Sequence, residues 1–218
     1  MKPVTKNLMR GLLTNYFYSI NGSLLFFFGF CLIIGILSLI TESFLLFWAF
    51  AAFSIGGPSV IMITKIESTS NWARFQVSAP VKRKNLVDAS YLSAILAMLP
   101  GLPLVGAVAG MHFIIYGGIP NSILNLWLLM LAYTAGSVFM LAALIYPFAK
   151  TGIGQNNEQA LISICVFIGP GIMGGIALWA TRFNIPPNTA ALLMIAVSVP
   201  AFAVSYAVSR KLYVKIDF

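Results

Sequence analysis

Long apolar runs alternate with short polar, basic stretches along most of the chain. The apolar runs fall at about residues 24–40, 44–63, 89–111, 123–147, 160–180 and 189–209. None of them contains Lys, Arg, Asp or Glu. A helix crossing the hydrocarbon core of a bilayer needs about 20 predominantly apolar residues, and each run is near that length. The pattern predicts an all-α membrane protein with six transmembrane helices in a single domain spanning 1–218. The first two runs are separated only by Thr41-Glu42-Ser43, so they form a tight helical hairpin.

Two polar segments have patterns of their own. In residues 2–17, Lys2, Lys6 and Arg10 fall on one arc at 100° per residue, while Val4, Leu8, Leu12 and Tyr16 fall on the other. This predicts an N-terminal amphipathic helix lying in the headgroup plane, basic side toward anionic lipid. The second segment, 65–87, is the longest connection between runs and reads KIESTSNWARFQVSAPVKRKNLV. Trp72 and Phe75 are i, i+3 neighbours on a short helix that Pro80 ends, flanked by Glu67 and Arg74 and followed by Lys82, Arg83 and Lys84. Aromatics presented this way either rest on the headgroups or anchor in a partner's pocket. Asp88 opens the next run, where the helix macrodipole favours a negative charge.

Charge distribution fixes an expected orientation. Twelve of the 13 basic residues lie in the N-terminal segment, in 65–87, at Lys150, or in the tail at Arg210, Lys211 and Lys215; only Arg182 lies on the other side. Basic residues mark the cytoplasmic side of a membrane protein. An even number of spans then leaves both termini in the cytoplasm, in a multi-pass protein of the bacterial cell membrane.

Composition narrows the function classes. Hydrophobic residues make up 60% and charged residues 8% of 218 positions, far from the quarter or so that is charged in soluble domains. The net charge of +8 is accounted for by the flanks of the spans and does not call for nucleic acid. Cys31 and Cys165 lie inside apolar runs and read as small buried hydrophobes. His112 is the sole histidine, too little for a metal site. The N-terminal sequence lacks the pattern of a cleavable signal peptide.

Glycine and proline recur within the spans, as Gly56-Gly57-Pro58, Pro100-Gly101-Leu102-Pro103, Gly169-Pro170-Gly171 and Pro200. Gly106 with Gly110, and Gly171 with Gly175, form small-xxx-small pairs of the kind that let helices approach closely. Packing or hinging is served equally well by such residues.

Glu67, Trp72, Phe75, Pro80-Val81, Lys82-Arg83-Lys84, Leu86-Val87 and Tyr91-Leu92, with Phe148-Ala149-Lys150-Thr151-Gly152 and Glu158 in a second loop, together resemble the permeases of the ABC-2 class. The nearest resemblance is to small permease subunits of bacterial exporters similar to the phenol-soluble modulin exporter. Ala79 and Lys82 depart from the Leu and Ser common in those relatives. The resemblance implies a permease that pairs with itself or with a sister subunit and binds a separate ATP-binding cassette ATPase. It implies that Glu67, Trp72, Arg74 and Phe75 form a coupling helix between spans 2 and 3, and that Lys150 and Glu158 touch the same ATPase. ATP and magnesium are expected on that partner, with no cofactor and no catalytic residue on this chain. Amphipathic cytolytic or antimicrobial peptide is the cargo natural to such relatives.

The residues themselves agree with an energy source on another polypeptide. The chain has no G-x-x-x-x-G-K-[ST] loop for nucleotide. It also has no ionisable group within a span of the kind ion-coupled carriers use. Phe27 and Phe30 in span 1, and Phe47 and Phe50 in span 2, are candidates for an apolar cargo pathway; an aromatic stripe serves packing or lipid contact as readily. A secondary carrier, a channel, or a non-exporting immunity or scaffold protein remains open on the sequence.

Overall fold

The computed structural model describes residues 11–14, 16–18, 25–26, 29–30, 33, 36, 57, 60–61, 64, 83–99, 103, 107, 110–111, 113–115, 117, 121–151 and 158–215. Among the described residues the architecture is entirely helical. Four complete helices carry it: α1 (Arg83–Met98), α2 (Asn121–Thr151), α3 (Glu158–Arg182) and α4 (Pro187–Lys215).

Three of these are long and apolar enough to cross a bilayer: α2 over Trp127–Phe148, α3 over Ile162–Arg182 and α4 over Pro187–Tyr213. At 1.5 Å rise per residue, the 21 residues of the α3 segment reach about 32 Å, close to the thickness of the hydrocarbon core. The helices α2, α3 and α4 contain the runs expected at 123–147, 160–180 and 189–209 and extend beyond them at both ends. The runs at 24–40 and 44–63 lie mostly outside the described residues. Those described within them are helical.

The third run differs from expectation. Instead of one helix over 89–111, α1 starts at Arg83, inside the basic cluster, and ends at Met98 with a turn at Leu99. Beyond it, the residues described between Pro103 and Ile115 are helical, ahead of Gly117 at φ 73°. The cause is local: Pro100 disfavours helical backbone at the residue before it, and Pro103 can only re-enter a helix near its first turn.

The helix α2 is the hub. It packs along α4 for most of its length and against α3 over its middle, while α1 covers its C-terminal half together with α4. The chain direction alternates, so α2 and α4 run parallel and α1 and α3 run opposite to them. One apolar cluster sits where α1, α2 and α4 meet the first half of α3, with Leu86, Val87, Tyr91, Val138, Leu141, Ile145, Tyr146 and Cys165 among its buried members. A second joins Ala132, Met140, Met173, Ala191 and Met194 from α2, α3 and α4. The outer faces of α3 and α4 are left apolar and exposed, with Ile164, Phe167, Leu178, Leu192 and Val204 among them. This is the inside-out arrangement expected when lipid is the solvent.

The helices α3 and α4 are joined by a turn of four residues. Asn184 takes φ 52°. The Ile185 amide donates to the Ala180 carbonyl at 2.9 Å and the Asn184 amide to the Thr181 carbonyl at 3.2 Å. That pair of bonds is a Schellman closure, with Asn at the left-handed position that otherwise favours Gly. Pro186 then caps the start of α4 by accepting from the Ala190 amide at 3.0 Å, and Pro187 occupies the first helical position, where no N–H is needed.

Candidate functional site at the basic end of the bundle

The helix ends bearing Arg83 and Lys84, Lys150, and Arg210, Lys211 and Lys215 converge at one end of the bundle, while Arg182 lies at the other. Arg182 stands beside Trp179 and Phe183, half-exposed rings 5.2 Å apart that suit a membrane–water boundary.

At the basic end, two polar fastenings tie α1 to α4. Asp88, on the second turn of α1, accepts a hydrogen bond from the Tyr206 hydroxyl at 2.7 Å. Arg210, one turn further along α4, places Nε 3.5 Å from the same carboxylate oxygen and lies 5.8 Å from the centre of the Tyr206 ring. Because α1 starts at Arg83, Asp88 stands beyond the first turn where the helix dipole acts, contrary to the expectation from sequence, and its charge is held by a neighbouring helix instead. The Asp88 and Arg210 side chains are partly open to solvent, at 23% and 44%, so the ion pair itself adds little stability. Its value is positional.

One turn deeper lies Tyr91, almost fully buried. Its hydroxyl is 2.7 Å from Ser205 Oγ and 2.9 Å from Ser209 Oγ, both on α4. Ser205 donates its own proton to the Ala143 carbonyl of α2 at 2.8 Å. A hydroxyl has one proton to give. Ser205 spends its proton on Ala143, so Tyr91 must donate to Ser205 and Ser209 must donate to Tyr91. The bonds run in one direction, from Ser209 through Tyr91 and Ser205 to Ala143, and chains aligned this way reinforce one another.

The acceptor at the end of that chain has a specific origin. Pro147 lies inside α2 and has no N–H. The carbonyl it leaves without an intrahelical donor is that of the residue four positions earlier, Ala143. Ser205 supplies the missing donor from α4. An exposed backbone carbonyl at membrane depth is costly, and neighbouring hydroxyls are the usual remedy. Around this relay, Tyr91 makes edge contacts with Tyr146, Phe202 and Tyr206 at centroid distances of 4.8, 5.1 and 5.3 Å. Such geometry brings positive ring edges onto negative ring faces.

The segments bracketing 65–82 seat in the same cluster. Val60, fully buried, packs there with Leu86 and Val87, and Ile61 lies beside them. Thr64, also buried, returns its hydroxyl to the Val60 carbonyl at 2.8 Å. The N-terminal helix reaches the same region. Tyr16 is buried with its hydroxyl 3.4 Å from Ser90 Oγ, and Leu12 packs on the cluster. The face of residues 2–17 expected to sit in the acyl boundary thus turns at Tyr16 toward protein, whereas Tyr18 is exposed.

Glu67, Trp72, Arg74 and Phe75 lie outside the described residues, as do Phe27, Phe47 and Phe50. Phe30 is helical and partly exposed. Lys150 falls in the last turn of α2, and Glu158 is the first residue of α3, where its charge suits the helix dipole. No group of three or more potential metal ligands occurs among the described residues.

Among the described residues, the close helix approaches are made at Gly169 and Gly136, and Gly106 lies outside the described residues. A Cβ on Gly169 would lie 3.3 Å from the Leu141 nitrogen and the Ser137 carbonyl oxygen, backbone atoms of α2 that cannot step aside. One on Gly136 would meet Met173 Sδ at 2.7 Å. Gly110, Gly171 and Gly175 have nothing within 4 Å of that position. In an apolar helix the spacing of small residues does not say which face meets a neighbour.

The fold and this site define a helical membrane bundle with its charge and its polar fastenings gathered at one end. The sequence profile of the ABC-2 family transporter proteins matches residues 11–214, nearly the whole chain. The chain belongs to that family and is the membrane component of a transporter, a class that works with an ABC ATPase. No curated protein and no solved structure matches it significantly.

Proposed function

We propose that this chain is the permease subunit of an ATP-driven exporter in a bacterial cell membrane. Membership of the ABC-2 family over residues 11–214 carries the reading. The absence of a nucleotide-binding loop from the sequence supports it, because the work must then come from the ATPase. In this reading the six apolar runs are six spans, and the basic end of the bundle faces the cytoplasm with both termini. Two such chains, identical or sisters, form the translocation unit. The segment 65–87 carries a coupling helix in which Trp72 and Phe75 fill a groove of the ATPase, with Glu67 and Arg74 at its rim and Lys150 and Glu158 touching the same partner. Cargo is an amphipathic or hydrophobic peptide, which suits spans rich in Phe and lacking buried charge; Phe27, Phe30, Phe47 and Phe50 line its route.

Co-purification tests the docking role. The chain expressed with its ATPase retains it through purification, and the double variant Trp72→Ala, Phe75→Ala loses most of it. Full retention by the double variant refutes the assignment. Export that stops when an uncoupler collapses the proton gradient at constant ATP refutes the ATP-driven scheme.

A further inference from the structure

We propose that the bundle bends across its mid-depth, at Gly136-Ser137 of α2, Pro170 of α3 and Pro200 of α4, so that the half bearing the α3–α4 turn tilts on the half bearing the basic end. The proposal rests on the permease reading for its driving force and goes beyond it by locating the moving boundary within the bundle.

Weak points in three helices meet at one level. Pro170 and Pro200 lie inside α3 and α4. Lacking an N–H, they cannot close the helical ladder onto Val166 and Ala196. In α2, Gly136 stands next to Ser137, and Gly/Ser pairs, like prolines, are usual seats of helix kinks. The Ser137 hydroxyl donates back to the Tyr133 carbonyl at 2.7 Å. The Thr134 hydroxyl is shared between the Met130 and Leu131 carbonyls at 3.0 Å each. Such back-bonding weakens a helix locally and bends it. The contacts fix the common level. A Cβ on Gly136 would stand 2.7 Å from Met173 Sδ and 3.5 Å from Ser198 Oγ, and one on Gly169 would stand 3.3 Å from the Ser137 carbonyl oxygen. The Tyr133 hydroxyl lies 3.4 Å from the Pro170 carbonyl oxygen, and the Phe139 ring lies 4.9 Å from that of Phe202. Both prolines are thus bracketed by contacts to the stretch of α2 from Tyr133 to Leu141.

Side chains on the two sides of this level belong to different clusters. On α3, Ile162, Cys165 and Val166 precede Pro170 and pack in the cluster of Leu86, Val87 and Tyr146; Met173, Ile176 and Ala177 follow it and pack in the cluster of Ala132, Ala191 and Met194. On α4, Ala191 and Met194 precede Pro200, while Phe202, Tyr206 and Tyr213 follow it in the first cluster. Met140 and Ala201 reach across the level into the second. Each half has ties of its own. The relay through Tyr91 and Ser205 to Ala143, with Asp88 on Tyr206, holds the basic half; the backbone closure at Asn184 joins α3 to α4 in the far half. Met140, Met173 and Met194 fill much of the second cluster, and methionine repacks readily when its surroundings shift. Pro147 lies within the basic half, where Ser205 supplies the donor it removes. Two packed halves meeting at a level of interrupted helices form a hinge.

Spin-label distances in the permease–ATPase complex test this. In a background with Cys31→Ser and Cys165→Ser, labels at Lys84→Cys and Leu178→Cys span the level. The pair Lys84→Cys with Ile164→Cys stays within the basic half, and Leu128→Cys with Leu178→Cys within the far half. All four label sites are exposed. Leu178 lies about 12 Å beyond Pro170 along α3, so a tilt of about 20° moves its label by about 4 Å. On trapping with ATP and vanadate, the spanning distance shifts by that order and the other two hold. Pro170→Ala with Pro200→Ala restores both ladder bonds. In that variant the spanning distribution narrows without nucleotide, and its response to nucleotide falls at least twofold, whereas Pro147→Ala changes neither. A spanning distribution that the double variant leaves as broad as before overturns the proposal, as do within-half distances that shift as far as the spanning one. If the double variant narrows the distribution but no pair responds to nucleotide in a complex that retains its ATPase, the hinge stands and the ATP-driven reading fails.

Discussion

Replacing Ser205 by Ala tests the account of the Pro147 site at the level of single bonds. The substitution removes one oxygen and almost no volume, so its cost is that of hydrogen bonding. Two bonds are lost, the 2.8 Å bond to the Ala143 carbonyl and the 2.7 Å bond from Tyr91. Interhelical hydrogen bonds in membranes average well under 2 kcal/mol, but here a buried carbonyl is also left without a donor, so the sum is about 2 kcal/mol. Pro147→Ala returns an N–H to position 147 and lets α2 satisfy Ala143 from within. In that background Ser205→Ala removes only the bond from Tyr91, and its cost falls to about 1 kcal/mol. The difference between the two costs is the coupling energy of a double-mutant cycle. Equilibrium unfolding in mixed micelles measures it, followed by a thiol-reactive fluorophore at Cys165, which is buried and free in the folded protein; Cys31→Ser removes the second thiol. Equal costs for Ser205→Ala with and without Pro147 would refute the claim that Ser205 replaces the missing backbone donor.

Tyr91→Phe breaks the relay at its middle and lowers stability by about 1 kcal/mol in the same assay, with its ring contacts preserved. Gly169→Ala drives a methyl group against the α2 backbone and destabilises by about 1–3 kcal/mol, whereas Gly171→Ala meets open space and is neutral or gains up to about 1 kcal/mol of helix propensity. Asp88→Asn keeps an acceptor for Tyr206 but loses the attraction to Arg210; its stability cost stays below about 1 kcal/mol and shrinks as salt is raised.

The positions of the last three spans were legible because a charge-free apolar run has few alternatives. Helices α2, α3 and α4 contain the expected runs, and the flanking residues that extend them, such as Arg210 and Lys211, are those a helix carries out of the bilayer. Facing was not legible. In water the apolar stripe of a helix points to the core, but in lipid every side is apolar and periodicity falls silent. Hence spacing drew attention to Gly171 and Gly175, while the contact belongs to Gly169. The polar fastening of α1 to α4 was half visible. Ser205 with Ser209, and Tyr206 with Arg210, are i, i+4 pairs at the end of an apolar run, and Tyr91 was noticed only as part of a resemblance. What could not be read is that Pro147, in a different helix, creates the acceptor those hydroxyls serve. Such a link depends on α4 lying parallel to α2, which is a property of the folded bundle.

The tight closure between Arg182 and Pro187 sets how displacement is distributed along the two helices it joins. With four residues in the link and its backbone bonds satisfied, α3 and α4 cannot slip lengthwise past each other. They can splay like the arms of a pair of tweezers whose fulcrum is that link. Helix α3 has 25 residues and an arm of about 37 Å. A tilt of about 10° at the fulcrum, trivial in local backbone terms, opens the opposite tips by roughly 6 Å on that arm length. The far turn is small and polar-capped, yet it converts a slight change of angle into a gap wide enough to admit a side chain.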